Sequence, residues 1–263
     1  MNVRTWITVF ALGCLSTAAG RYAPAQEAPT SLTELLHRGD VFYAAFNNAE
    51  AHHTFLDAFA VAPNAFDVLV RLAKTTVELG MDVEAAEQME EAEALYSEAV
   101  GYAEELLRLF PDSAKTYFHL IRTQGKLALF RGGREKVETG RNVEQYGRRG
   151  LELDANDPDL HAGFGIFKRE VAHLSWVERT FAKALFGHIP EGTRAEAIQF
   201  LERAIALRPD FTFAHFELAV TYVGMGEREA AAEEFQKALD LPAATTQDVR
   251  NRDIARRMLE RLR

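Results

Sequence analysis

The residues best suited to chemistry in this 263-residue chain are eight histidines, one cysteine, a handful of serines and long runs of carboxylates. A metal site on a helix needs two ligands three or four residues apart, so that both side chains share one face. His52 and His53 are adjacent and point to different sides, while His161, His173, His188 and His215 each lie at least twelve residues from the next. No His-x-x-x-His pair results, and no metal is expected; His161 and His215 read instead as packing residues between helices. The serines Ser31, Ser97, Ser113 and Ser175 sit at helix starts or in amphipathic stretches, and none lies in a Gly-x-Ser-x-Gly turn. Gly132-Gly133 and Gly163-x-Gly165 follow no strand pattern, and no Gly-Lys-Ser/Thr is present to hold a nucleotide phosphate. Catalysis and cofactors are therefore not expected.

The cysteine, Cys14, belongs to a segment with a different purpose. Arg4 precedes the ten-residue run Trp6 to Leu15, which is too short for a bilayer span of about 20 residues. Ala23-Pro24-Ala25 then offers the small residues a signal peptidase requires. Residues 1–25 read as an export signal, with Ala19 or Gly20 as alternative cleavage points, and the expected location is periplasmic or secreted. Ala11-Leu12-Gly13-Cys14 loosely resembles a lipobox, so the alternative is a lipoprotein anchored through Cys14. Cleavage after Ala25 leaves no thiol, which excludes disulfides and cysteine nucleophiles from the folded part.

Hydrophobic residues make up 48% of the chain, charged residues 26%, and the mean hydropathy is −0.18. Those values fit a soluble globular protein and exclude a disordered or polytopic membrane chain. The formal charge is −9, which argues against nucleic acid as a partner. Charge is ordered along the chain: Glu78 to Glu105 holds ten carboxylates with no Lys or Arg, whereas Arg131 to Arg149 and Asp248 to Arg263 are rich in arginine. Such runs read first as solvated helix faces, and second as complementary helices within or between molecules, which would make self-association salt-sensitive.

The elements that carry these residues repeat. In a 34-residue tetratricopeptide frame beginning at Thr212, Leu218 falls at position 7, Ala219 at 8, Tyr222 at 11, Ala231 at 20, Phe235 at 24 and Ala238 at 27. Small residues at 8, 20 and 27 let two antiparallel helices approach, and large ones at 7, 11 and 24 fill the gaps between hairpins. Upstream, Ala197, Leu201, Ala204 and Pro209 occupy the closing positions of the preceding unit, and Pro63 and Pro111 close earlier ones. The expected fold is an all-α, tetratricopeptide-like solenoid of about five helix-turn-helix units over residues 31–242. A short linker, 26–30, precedes it, and a polar capping helix, 243–263, follows. The closing anchors are unevenly spaced, which predicts longer middle helices and an inserted turn at Arg131-Gly132-Gly133-Arg134.

One stretch is more specific than the repeat. His173-Leu174-Ser175-Trp176-Val177-Glu178-Arg179, Leu185-Phe186-Gly187-His188-Ile189-Pro190 and Ala195-Glu196-Ala197 together resemble the C-terminal half of the regulator of microtubule dynamics family. There a Leu-Ser-Trp segment and a Leu-Phe-Gly-x-Ile-Pro turn interrupt the repeat, which assigns Trp176, Gly187 and Pro190 structural parts. The resemblance implies a non-enzymatic helical domain for protein association, and in some members for phospholipid binding at membrane contacts.

Projecting the inward positions of each first helix gives a groove. Val70 and Lys74 lie in the second unit, Lys115, Phe118, Arg122 and Lys126 in the third, Ile166 and Arg169 in the fourth, and Phe213, Phe216 and Val220 in the fifth. A basic middle and an apolar end would suit a protein or peptide carrying a carboxylate. The alternative occupant is a phospholipid or other amphipathic small molecule, enclosed by the longer middle helices.

Overall fold

The computed structural model describes residues 31–187 and 191–262. The expected leader with Cys14, the linker and Pro190 lie outside the described residues, among which there are twelve helices and no strand. Ten of the helices pair as five antiparallel hairpins. These are α1 (Leu32–Ala44) with α2 (Asn48–Val61), α3 (Phe66–Ala85) with α4 (Met89–Leu109), α5 (Ala114–Arg131) with α6 (Gly133–Leu153), α7 (Pro158–Ala172) with α9 (Arg194–Leu207), and α10 (Thr212–Met225) with α11 (Arg228–Asp240). The remaining two are α8 (Trp176–Phe186), inserted within the fourth hairpin, and the terminal α12 (Thr246–Leu262).

Local chemistry sets the ends. Ser31, Asn47 and Asp157 cap α1, α2 and α7 by accepting from backbone N–H groups of the first turn, and Pro158 occupies the first turn of α7, where a missing N–H costs nothing. Ser175 and Thr193 form complete capping boxes with Glu178 and Glu196. The turn expected at Gly132-Gly133 is where α5 gives way to α6, with φ of 67° and 51°, a region that side chains with a Cβ avoid.

Four of the five hairpins are locked where a small residue meets a large one. A Cβ on Gly39 would lie 2.3 Å from the Phe55 ring, and one on Gly80 would lie 2.6 Å from Tyr96. Both pairs are sixteen residues apart, the separation of Ala219 and Phe235 in the fifth unit, both of which are fully buried. In the fourth hairpin the equivalent contact is Gly165 with Leu201, stretched to thirty-six residues because α8 intervenes and packs on α6 instead. Leu218, Ala231 and Ala238 are buried as the frame requires, and Tyr222 is half-buried. Separate apolar clusters follow one another along the chain, as stacked hairpins demand.

The superhelix returns on itself. α12 packs on α11, covering the last hairpin, and its N-terminal end also meets α3. There Asn48, itself buried, donates to Thr246 Oγ1 at 2.6 Å and to Asp82 Oδ2 at 2.8 Å, and Arg250 pairs with Asp82.

Candidate functional site

The inner faces of α3, α5, α7 and α10 surround a chamber of about 710 Å³, within the range of small-molecule sites, with the start of α12 as one wall. Its surface is mostly apolar. Where α5, α6 and α7 bound it, the lining forms an apolar slot of Ile121, Leu129, Val137, Val143, Phe167 and Leu174. Gly125 lies on this slot, and a Cβ placed there would meet nothing within 4 Å.

Nine of the eleven groove residues expected from the repeat frame line this chamber: Val70, Lys74, Lys115, Phe118, Arg122, Lys126, Ile166, Arg169 and Phe213. Phe216 does not. It is buried against Phe235, ring centroids 5.7 Å apart, because its side of α10 faces α11. Val220 joins the same cluster.

The basic middle is largely spent on internal pairs. Arg122 binds Glu78, which is fully buried; Lys126 Nζ lies 2.8 Å from Glu84 Oε2; Arg169 Nη1 lies 2.7 Å from Glu217 Oε2. In this way the acidic run meets cations of α5 and α12, which is the intramolecular form of the charge complementarity expected from its order. Other carboxylates on the wall are engaged too: Asp159 holds Arg208 at 2.6 Å, Asp157 caps α7, and Asp248 accepts from the N–H groups of Ala244 and Thr245. Asp210, at the rim, is exposed.

Two lysines remain. Among the described residues Lys115 makes no ion pair, and Lys74 Nζ rests 3.8 Å above the Tyr43 ring. Burial, followed by repulsion from Arg122, lowers the Lys74 ammonium to about 8. Beside them His119 is buried, with no hydrogen-bond partner for Nδ1. Burial, then the charges of Arg122, Lys74 and Lys115, lowers its imidazole to about 3, so it is neutral at pH 7. Two lysines without ion pairs among the described residues thus share the chamber with the apolar slot.

Sequence reasoning missed Glu78, His119, Asn48 and Arg250. A single histidine and a single buried glutamate have no spacing signature, and the last two act across the whole length of the chain. Three Glu-x-x-His spacings do occur, Glu34 with His37, Glu50 with His53 and Glu170 with His173, but Glu170 is held by Lys136 at 3.0 Å. Among the described residues no three His, Cys, Asp or Glu side chains gather as metal ligands. His161 and His215 are occupied by helix contacts, with Ala155 O at 2.9 Å and Glu234 Oε2 at 2.6 Å. Trp176 departs from its expected structural part: α8 buries Ala182 toward the protein and leaves Trp176 on the opposite side, in water. Gly187 ends α8 in the left-handed region at φ 66°.

Stacked hairpins around an inner chamber define a tetratricopeptide-type solenoid. The family model for regulator of microtubule dynamics protein 1-3 matches residues 35–263, and the chain belongs to that family. It is 26% identical over 218 residues to regulator of microtubule dynamics protein 1 of Bos taurus, covering 82% of this chain and 68% of that protein. With regulator of microtubule dynamics protein 3 of Xenopus laevis it shares 29% over 164 residues, which span 62% of this chain but only 35% of the relative. Among solved structures, a tetratricopeptide protein of Thermus thermophilus superposes with a TM-score of 0.63 at 21% identity, covering 87% of this chain and 99% of that one. That likeness is one of fold.

Proposed function

We propose that this protein is a non-catalytic binding module that holds one acid-headed amphipathic molecule, a phospholipid or a fatty acid, in the chamber. The observation that carries this reading is that two lysines without ion pairs among the described residues, Lys74 and Lys115, line the same chamber as the apolar slot. An anionic head would replace the solvation that Lys74 loses on burial, and the unpaired His119 Nδ1 offers a further polar contact. An apolar tail would lie along the slot past Gly125, where a Cβ would meet nothing within 4 Å. Arg122, Lys126 and Arg169 position the walls through their own carboxylates and do not take up the ligand.

Organic extraction of the purified protein, followed by mass analysis, tests the proposal. The wild type releases an anionic amphipath, and Lys74→Ala/Lys115→Ala releases at least about tenfold less. A ligand-free wild type that instead captures peptides through their C-terminal carboxylate and these same lysines would assign the chamber to a protein partner. The leader read at residues 1–25 places the module outside the cytoplasm in this proposal; an exported form beginning at Gln26 without lipid supports plain cleavage, and a lipidated Cys14 supports the anchored form.

A further inference from the structure

Helix α8 interrupts the repeat, and its outward side is apolar. Trp176 is 78% exposed and Val177 66%, with exposed Thr180 and Ala184 on the same side at helical spacing. Leaving an indole in water forgoes a large gain from burial, so a helix that presents one has no packing reason to do so. The charge on this side is Lys183, exposed and without an ion pair among the described residues. Nearby carboxylates are tied down: Glu178 accepts from Ser175 N and Oγ, both at 2.7 Å, Glu170 holds Lys136, and Glu138 holds Arg134. The chamber wall reaches this helix, because Leu174, two residues before Trp176, lines the slot.

We propose that the outward face of α8 docks on an anionic lipid bilayer, with the Trp176 ring at the boundary of headgroups and acyl chains and Lys183 against phosphate. Tryptophan favours this boundary because its ring is apolar and its N–H polar, and a lysine near an anionic surface adds about 1 kcal/mol. A protein partner would need roughly 800 Å² from each side, more than one short helix face of Trp, Val, Thr and Ala presents. The dock rests on the chamber holding a lipid, since its position beside Leu174 gives that lipid a path from bilayer to slot that avoids water.

The chain has two tryptophans, Trp6 and Trp176, so Trp6→Phe makes Trp176 the sole indole. The full chain carrying this change is mixed with vesicles of phosphatidylglycerol or of phosphatidylcholine, each with brominated acyl chains. The proposal expects a blue shift and bromine quenching on anionic vesicles only. Lys183→Ala should weaken binding by about fivefold, and Trp176→Ala/Val177→Ser, followed by flotation, by more than about tenfold. A Trp176 that stays red-shifted and open to iodide on both vesicles overturns the dock. Lipid extraction on the same samples separates the two readings: retained lipid with a silent Trp176 removes the dock alone, and quenching without retained lipid supports the dock while removing the chamber's occupant.

Discussion

Arg250 of the last helix pairs with Asp82 of α3, 168 residues earlier in the chain, and lies 3.7 Å from Glu78. A solenoid ordinarily has two free ends and contacts only between neighbouring hairpins. Here the pair, with Asn48 and Thr246 beside it, turns an open groove into a walled chamber.

Removing that contact should open the chamber without unfolding the hairpins. Asp82 and Arg250 are each about a third exposed or less, so Arg250→Ala is expected to cost about 1 kcal/mol, while Glu78 keeps Arg122. Hydrogen exchange should rise in α12 and at the end of α3, leaving α5 and α7 protected, and bound ligand should dissociate several-fold faster.

The pair of Arg169 and Glu217 is a different case, because both side chains are about nine-tenths buried. Arg169→Met strands a buried carboxylate and should cost about 3–5 kcal/mol in urea denaturation. Arg169→Met/Glu217→Leu should recover most of the loss. A single variant as stable as the wild type would show that this arginine is free to serve a ligand.

His119 makes the fold sensitive to acid. Its imidazole is lowered from 6.5 to about 3 in the folded state, so the unfolded chain binds the proton first as pH falls. The contribution of this site is complete above about pH 6.5 and is lost progressively toward pH 3, amounting to about 2 kcal/mol by pH 5. Thermal unfolding of His119→Gln at pH 7 and pH 5 should show a smaller difference than that of the wild type.

Ligand capture should follow the charge of Lys74. Burial lowers it to about 8, so the ammonium is present below that pH and an acidic head is held there. Above pH 8 binding requires proton uptake, and affinity should fall by up to about tenfold per pH unit until the amine titrates in the complex. Lys74→Met should bind weakly, with a flat profile from pH 6 to 9.

The fold was legible because its determinants are local. The Gly39–Phe55 and Gly80–Tyr96 contacts, like Ala219 with Phe235, repeat one small-to-large spacing, and prolines such as Pro63, Pro111 and Pro209 mark the hairpin ends. The groove was legible to the extent that a helix face is: Lys74 and Lys115 were found, and so was Arg122, but nothing in the spacing says that Arg122 is neutralised by Glu78 from another hairpin. Phe216 was misplaced because a one-residue step along α10 turns a side chain by 100° from the chamber into the core. The closure by Arg250 left only a trace, in the opposite signs of the acidic run and the C-terminal helix.

Native mass spectrometry of the wild type beside Lys74→Ala/Lys115→Ala tests the central claim most directly. The account predicts one bound anionic amphipath per wild-type chain and bare protein for the double variant, with equal helical circular dichroism. Bare protein in both cases, or equal loading of both, would contradict it.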